Sequence, residues 1–276
     1  MKIIYTIFLF VMLCLSANAQ SKKLEKQAAA IEEEADKIYQ SEMASWYGSD
    51  LFDEKFKDKN DIKGGYVSYS EGDVSKCIFI SKGEKPKAIA TFSFDPTYNV
   101  KTAVIDGSER TLTALESDLV DLRLKASTII QNDTIFKFYK NISFNVVPII
   151  NGKEKKVYVL SGPKVVGVVV FGNDYLMTFD KNNNLVSTKR LHKNINPTEY
   201  KNSVSAVHTH LKETGDFITA TDICTLRLYE KYTQWESYMV MSKDYVSIWD
   251  CKKDKLLILT MEAWQKISDD VKDKKD

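Results

Sequence analysis

Leu24, Ala28, Ile31, Ala35, Ile38 and Tyr39 recur at helical spacing in a stretch rich in Lys, Glu, Ala and Gln. Residues 21–46 are therefore predicted to form an amphipathic helix with a solvated charged face. The period then breaks. Residues 47–64 are polar and lysine-rich and run into Gly64-Gly65, which reads as a linker. Three short alternating or apolar runs follow at 66–69, 77–81 and 88–94, separated by polar turns, and predict a small antiparallel sheet. Leu112, Leu115, Leu119, Leu122 and Ala126 restore the helical stripe over 111–130. Thr113 and Glu116 have the spacing of a capping box at its start.

From Ile135 the pattern turns to strands. Residues 144–150, 157–160 and 165–171 are rich in β-branched side chains. Runs 175–179 and 185–187 flank Asp180-Lys-Asn-Asn-Asn184, the composition of a hairpin turn. A strand over 203–208 leads to a helix over 222–232. A hairpin at 238–242 and 245–249 follows, then a strand over 256–259 and a helix from 262 to about 271. Trp249 falls within a predicted strand and is expected in a core, and the four tryptophans are too scattered to suggest a binding platform. No internal repeat or low-complexity tract is present. The expected fold class is α/β (α+β), a mixed sheet flanked by helices. Residues 20–130 are expected to form a helix and small-sheet region, and residues 131–276 an α/β domain.

The N-terminus changes the picture of where the chain works. Lys2 precedes an almost wholly apolar run from Ile3 to Leu15, and Ala17-Asn18-Ala19 stands before Gln20. This is the pattern of a secretory signal peptide over residues 1–19. The run is short for a membrane span, and a retained N-terminal anchor is the alternative. Cys14 follows Val-Met-Leu rather than the small residue that a lipoprotein signal needs. The expectation is an exported protein, periplasmic or secreted, with no membrane span after cleavage. Asn132-Asp-Thr134 and Asn141-Ile-Ser143 are glycosylation sequons, meaningful only where the host route glycosylates.

Charge adds an exclusion. The chain has 39 basic and 38 acidic residues, and loss of Lys2 brings the balance to zero. A neutral balance gives no reason to expect nucleic acid as a partner. Without Cys14 three cysteines remain, too few for a disulfide scaffold. Cys224 and Cys251 could pair, although small buried apolar residues are the simpler expectation.

Candidate chemistry gathers in one stretch. An apolar strand runs into His208-Thr-His210, and Thr219-Ala-Thr-Asp222 opens the next helix. Residues i and i+2 of a strand project to one face, so His208 and His210 can bind one metal ion together, with Asp222 as a third ligand. Three protein ligands and one open position are the layout of a catalytic zinc site. The same residues have a metal-free explanation. Thr219 can cap the helix with Asp222 three residues on, and an acidic side chain is favourable at a helix N-terminus. The third histidine, His192, lies in the basic Lys189-Arg190-Leu191-His192-Lys193 and is expected to face solvent.

His208-Thr-His210 followed by Thr219-x-x-Asp222 resembles the JAB/MPN (JAMM) metallopeptidase family, over roughly residues 155–262. That family carries His-x-His, a loop and Ser-x-x-Asp, here with Thr for Ser. The resemblance implies that His208, His210 and Asp222 bind zinc and that Thr219 supports the oxyanion. The strand–hairpin–strand–helix–hairpin order also agrees with it. Two features depart from the family. The loop after His210 lacks the usual Pro and is about one residue longer. The general-base Glu of an upstream Glu-x-x-Gly pattern is missing, and its best match, Lys164-Val-Val-Gly167, puts Lys164 in that place. An ammonium has no acceptor for a proton. Glu213 or Asp216, in the loop before Asp222, would be the substitute base. The implied function is an exported zinc-dependent hydrolase of peptide or isopeptide-like amides, or a degenerate relative. The alternative is a non-catalytic cell-envelope binding module on the same scaffold, with a peptide or protein partner.

Overall fold

The computed structural model describes residues 2–199 and 204–273, with side chains from Gln20 onward. Helix α1 spans Lys2–Lys55. Strands β1 (Lys63–Glu71), β2 (Val74–Ser81), β3 (Ala88–Phe94) and β4 (Val104–Asp106) form one antiparallel sheet in that order. Helix α2 (Ala114–Asn132) leads to β5 (Ile142–Asn151), β6 (Glu154–Pro163), β7 (Val168–Gly172), β8 (Tyr175–Phe179), β9 (Leu185–Arg190) and β10 (Ile195–Glu199). Strand β11 (Ser205–Thr209), helix α3 (Ala220–Tyr229), β12 (Ser237–Met241), β13 (Tyr245–Asp250), β14 (Lys255–Thr260) and α4 (Met261–Asp273) complete the chain. The fold is mixed α+β, as the periodicity predicts. No helix among the described residues is long and apolar enough to cross a membrane.

Two compact units share these elements. One comprises Ala35–Ser203 with Ala220–Gln234. In it α2 is buried on two sides. Leu119 and Val120 pack with Val67, Ile78, Ile80 and Ala88 of β1–β3. Leu122, Ala126 and Ile130 pack with Val146, Val157, Val159, Tyr175 and Met177 of the sheet β5-β6-β8-β9. A division at residue 130 would cut through this core, which is why the unit continues past it. Strand β6 is buried on both faces, since Tyr158 and Leu160 alternate with Val157 and Val159 and meet Ile38 of α1 and Cys224 and Leu228 of α3. That contact fixes α3.

The other unit comprises Met1–Glu34, Val204–Thr219 and Trp235–Asp276. Its sheet has the order β11-β12-β13-β14, with β11 parallel to β12 and the other pairs antiparallel. Trp249 is buried in it, as expected. The Glu32 carboxylate accepts from Leu256 N at 2.6 Å and Lys255 Nζ at 2.8 Å, tying α1 to the edge strand β14.

Residues 47–64 are not a linker. Helix α1 continues to Lys55, and Leu51 and Phe52 are buried against Phe79 and Phe92. Gly48 interrupts the apolar pattern for a packing reason, because a Cβ there would stand 2.7 Å from the Cβ of Cys77. Strands β4 and β10, three and five residues long, were not visible as runs. The predicted strand start at 203 lies outside the described residues, as do side chains of the expected signal segment. Cys77, Cys224 and Cys251 are all buried, and none of them forms a disulfide.

Candidate metal centre

Two corners of the β-structure build one part of the site. Strand β7 pairs with β10, whereas β8 pairs with β9, so the chain changes partners between Gly172 and Tyr175 and again between Arg190 and Ile195. The two turns lie against each other. Leu191 N donates to the Asp174 carbonyl at 3.0 Å, and Asn173 N to the Asn194 carbonyl at 3.2 Å. Gly172 has φ +78°, and a Cβ there would collide with the Asn194 carbonyl, so glycine is required. Asn173, also left-handed at φ 52°, is held through its side chain. Its Nδ2 donates to the Lys137 carbonyl and to Ser161 Oγ, and its Oδ1 accepts from Tyr175 OH.

This double corner buries His192, which is 7% exposed and does not face solvent as its basic neighbours suggest. Its Nδ1 lies 2.6 Å from Asp174 Oδ1, and its Nε2 lies 3.3 Å from Asp222 Oδ1. Burial alone would push the imidazole pKa down. The two carboxylates outweigh it and hold the pKa well above its ordinary value. Asp222 is the third residue of α3 and only 2% exposed, and Thr221 beside it donates from Oγ1 to Asp174 Oδ2.

The His-x-His pair sits where β11 ends. Its strand alternates, with Val207 and Thr209 exposed and His208 and His210 turned inward. His208 Nδ1 shares a 2.9 Å hydrogen bond with Tyr238 OH on β12. His210 N donates to the Met241 carbonyl at 2.8 Å, extending the parallel pairing by one residue. The Nε2 atoms of His208 and His210 are 2.9 Å apart.

His192, His208, His210 and Asp222 each offer one ligand atom, and these atoms all lie within 4.8 Å of one another. The group could hold a metal ion, and its chemistry fits one. At zinc–nitrogen bonds of about 2.0–2.1 Å, two ligand atoms of a tetrahedron stand roughly 3.3 Å apart. The 2.9 Å and 3.3 Å spacings within the group approach that size, and all four atoms fall within 4.8 Å. Ligating histidines commonly engage their other nitrogen with a carboxylate or hydroxyl, as Asp174 and Tyr238 do here.

Of the residues singled out in the sequence, His208, His210 and Asp222 come together. Thr219 directly precedes α3, as a cap would. Glu213 is exposed in the turn after His210 and stands outside the four-residue group, as does Asp216. Lys164 follows β6 and lines a separate groove with Phe138 and Phe144. Sequence reasoning missed His192, Asp174 and Tyr238. The available signal for His192 was its rarity, since the chain has only three histidines. No family model, no curated protein and no solved structure matches this chain.

Proposed function

We propose that this protein is a zinc-dependent hydrolase of peptide or isopeptide-like amide bonds. His208, His210 and Asp222 hold the metal, and His192 is the proton acceptor that the sequence pattern lacks. The observation that carries this is the pair His192 Nδ1–Asp174 Oδ1 at 2.6 Å, which leaves Nε2 of a buried, oriented imidazole among the three ligands. Bound zinc lowers the pKa of a coordinated water to near neutrality. Amide hydrolysis also needs a group that takes a proton from that water and returns it to the leaving amine. His192 can do both, with Asp174 fixing its tautomer. A divalent cation held by the neighbouring ligands would oppose the charged imidazolium that the carboxylates favour. Thr219 steadies the oxyanion. In this arrangement neither Lys164 nor Glu213 takes part in proton transfer.

A second reading has its own support. All four ligand atoms lie within 4.8 Å. His192 as a fourth ligand would close the coordination sphere and leave a non-catalytic centre. Zinc content and amidase activity of three purified proteins separate the readings. The parent should hold about one zinc per chain, and a His208→Ala/His210→Ala double variant none. His192→Ala should keep the zinc and lose hydrolysis of a peptide library. Loss of zinc from His192→Ala supports the closed centre instead. A parent that takes no zinc on reconstitution ends both readings and leaves Thr219 and Asp222 as a helix cap.

A further inference from the structure

Lys164, which the metal centre does not use, belongs to a second feature of the Ala35–Ser203 unit. Between the last turns of α2, the segment after it and the start of β5 runs a groove of about 330 Å³. That is within the size range of small-molecule sites. Ile130, Phe138, Tyr139 and Phe144 supply most of its apolar lining, and Lys137 and Lys164 its charge; no acidic residue lines it.

Three observations mark the groove as built for a ligand. Phe138 is 68% exposed and Tyr139 43% exposed, an aromatic surface kept in water although a buried core lies beneath it. Its walls are anchored. Phe136 is buried against Tyr175 at a ring distance of 4.6 Å, and Phe138 contacts Phe144 at 5.3 Å. Lys137 N donates to Tyr175 OH at 2.9 Å, and Lys164 N to the Asn141 carbonyl at 2.8 Å, so both lysine backbones are held in place. The two ammonium groups are also unneutralised: among the described residues no carboxylate pairs with either. Lys155 of the same unit shows the contrast, bound to Asp118 at 2.6 Å and to Asn183 at 2.7 Å.

We propose that this groove binds an amphipathic monocarboxylate, an unbranched acyl chain lying on Phe138, Tyr139 and Phe144 with its carboxylate between Lys137 and Lys164. The aromatic floor removes the chain from water. The two lysines select for negative charge, and the lack of acidic lining leaves nothing to oppose it. The site does not depend on the metal centre.

The test is calorimetric titration of the full chain with decanoate, decanol and decyltrimethylammonium, which share a tail and differ in charge. Decanoate should bind saturably at one site, at least tenfold more tightly than the other two. Lys137→Gln/Lys164→Gln should weaken decanoate roughly fivefold to tenfold, the effect of two exposed charge contacts. Both lysines are exposed, so the variant should keep the parent's Tm; Phe138→Ala, at another exposed position, provides a second loss of affinity. Absence of decanoate binding overturns the proposal. So does equal binding of all three amphiphiles, or unchanged decanoate affinity in both variants. Binding to anionic phospholipid vesicles without binding of free decanoate also overturns it, in favour of a membrane-surface role.

Discussion

Two histidines of the candidate centre have one ring nitrogen engaged behind them, His192 by Asp174 and His208 by Tyr238. Such partners fix the tautomer and aim the other nitrogen, and losing one typically costs 10–100-fold in metal affinity. Tyr238→Phe should therefore weaken zinc binding by about that factor in competition with a chromophoric chelator, whereas Asp174→Asn, which acts through the proton acceptor His192, should keep the zinc and lower hydrolysis. Unchanged zinc affinity in Tyr238→Phe would mean that this contact does not orient His208. At this scale the sequence was only partly legible. His208, His210 and Asp222 could be read because strand alternation and a helix start are local rules. His192 could not, because its burial comes from a corner that stacks residues 172–174 on 191–194. Its flanking Lys189 and Lys193 are indeed exposed, so the local charge pattern was true of its neighbours and misleading for the residue between them.

Helix α2 is the element whose local code was most complete. Thr113 accepts from Glu116 N, and the Glu116 side chain accepts from Thr113 N, the capping box that the spacing predicts. Tertiary structure adds Arg110, whose guanidinium grips both Glu116 oxygens at 2.7 Å, and Tyr69, whose hydroxyl donates to Glu116 Oε1. Burial would raise the Glu116 carboxyl, but these hydrogen bonds hold its pKa below the ordinary 4.5. Folding thus favours the ionised form. Its contribution is fully present above pH 4.5 and is lost as pH falls below that value. Glu116→Gln should cost about 1.5–3 kcal/mol at pH 7, the range for hydrogen bonds to a charged group. In urea titrations the gap between variant and parent should narrow steadily below pH 4.5. A gap that stays constant with pH would show that the charge of Glu116 contributes nothing. Helix α1 shows the opposite case. Its sequence signal stops near residue 46 because Gly48 and the polar residues around it suit a loop, whereas the helix continues because Phe52 has a sheet to pack on.

For the whole molecule, metal binding would be linked to stability. A ligand that binds only the folded state at 100 times its Kd stabilises it by about 2.7 kcal/mol. For a chain of this size that corresponds to a Tm increase of roughly 5–10 °C. Zinc should raise the Tm of the parent by that amount, EDTA should reverse the rise, and His208→Ala/His210→Ala should show neither effect. A parent Tm indifferent to zinc and chelator would argue against a bound metal in the folded protein.

The sequence by itself determined the elements and their class. Hydrophobic period separates helix from strand wherever a run is long enough to show it, and turn and cap residues act over three or four positions. That covers α2, the Asp180–Asn184 hairpin and the His-x-His strand. Only the tertiary structure decided how far α1 runs, that α2 is buried between two sheets, and that His192 joins His208, His210 and Asp222. Each of these depends on contacts between residues far apart in the chain, whose free energy outweighs the local preferences that the sequence displays.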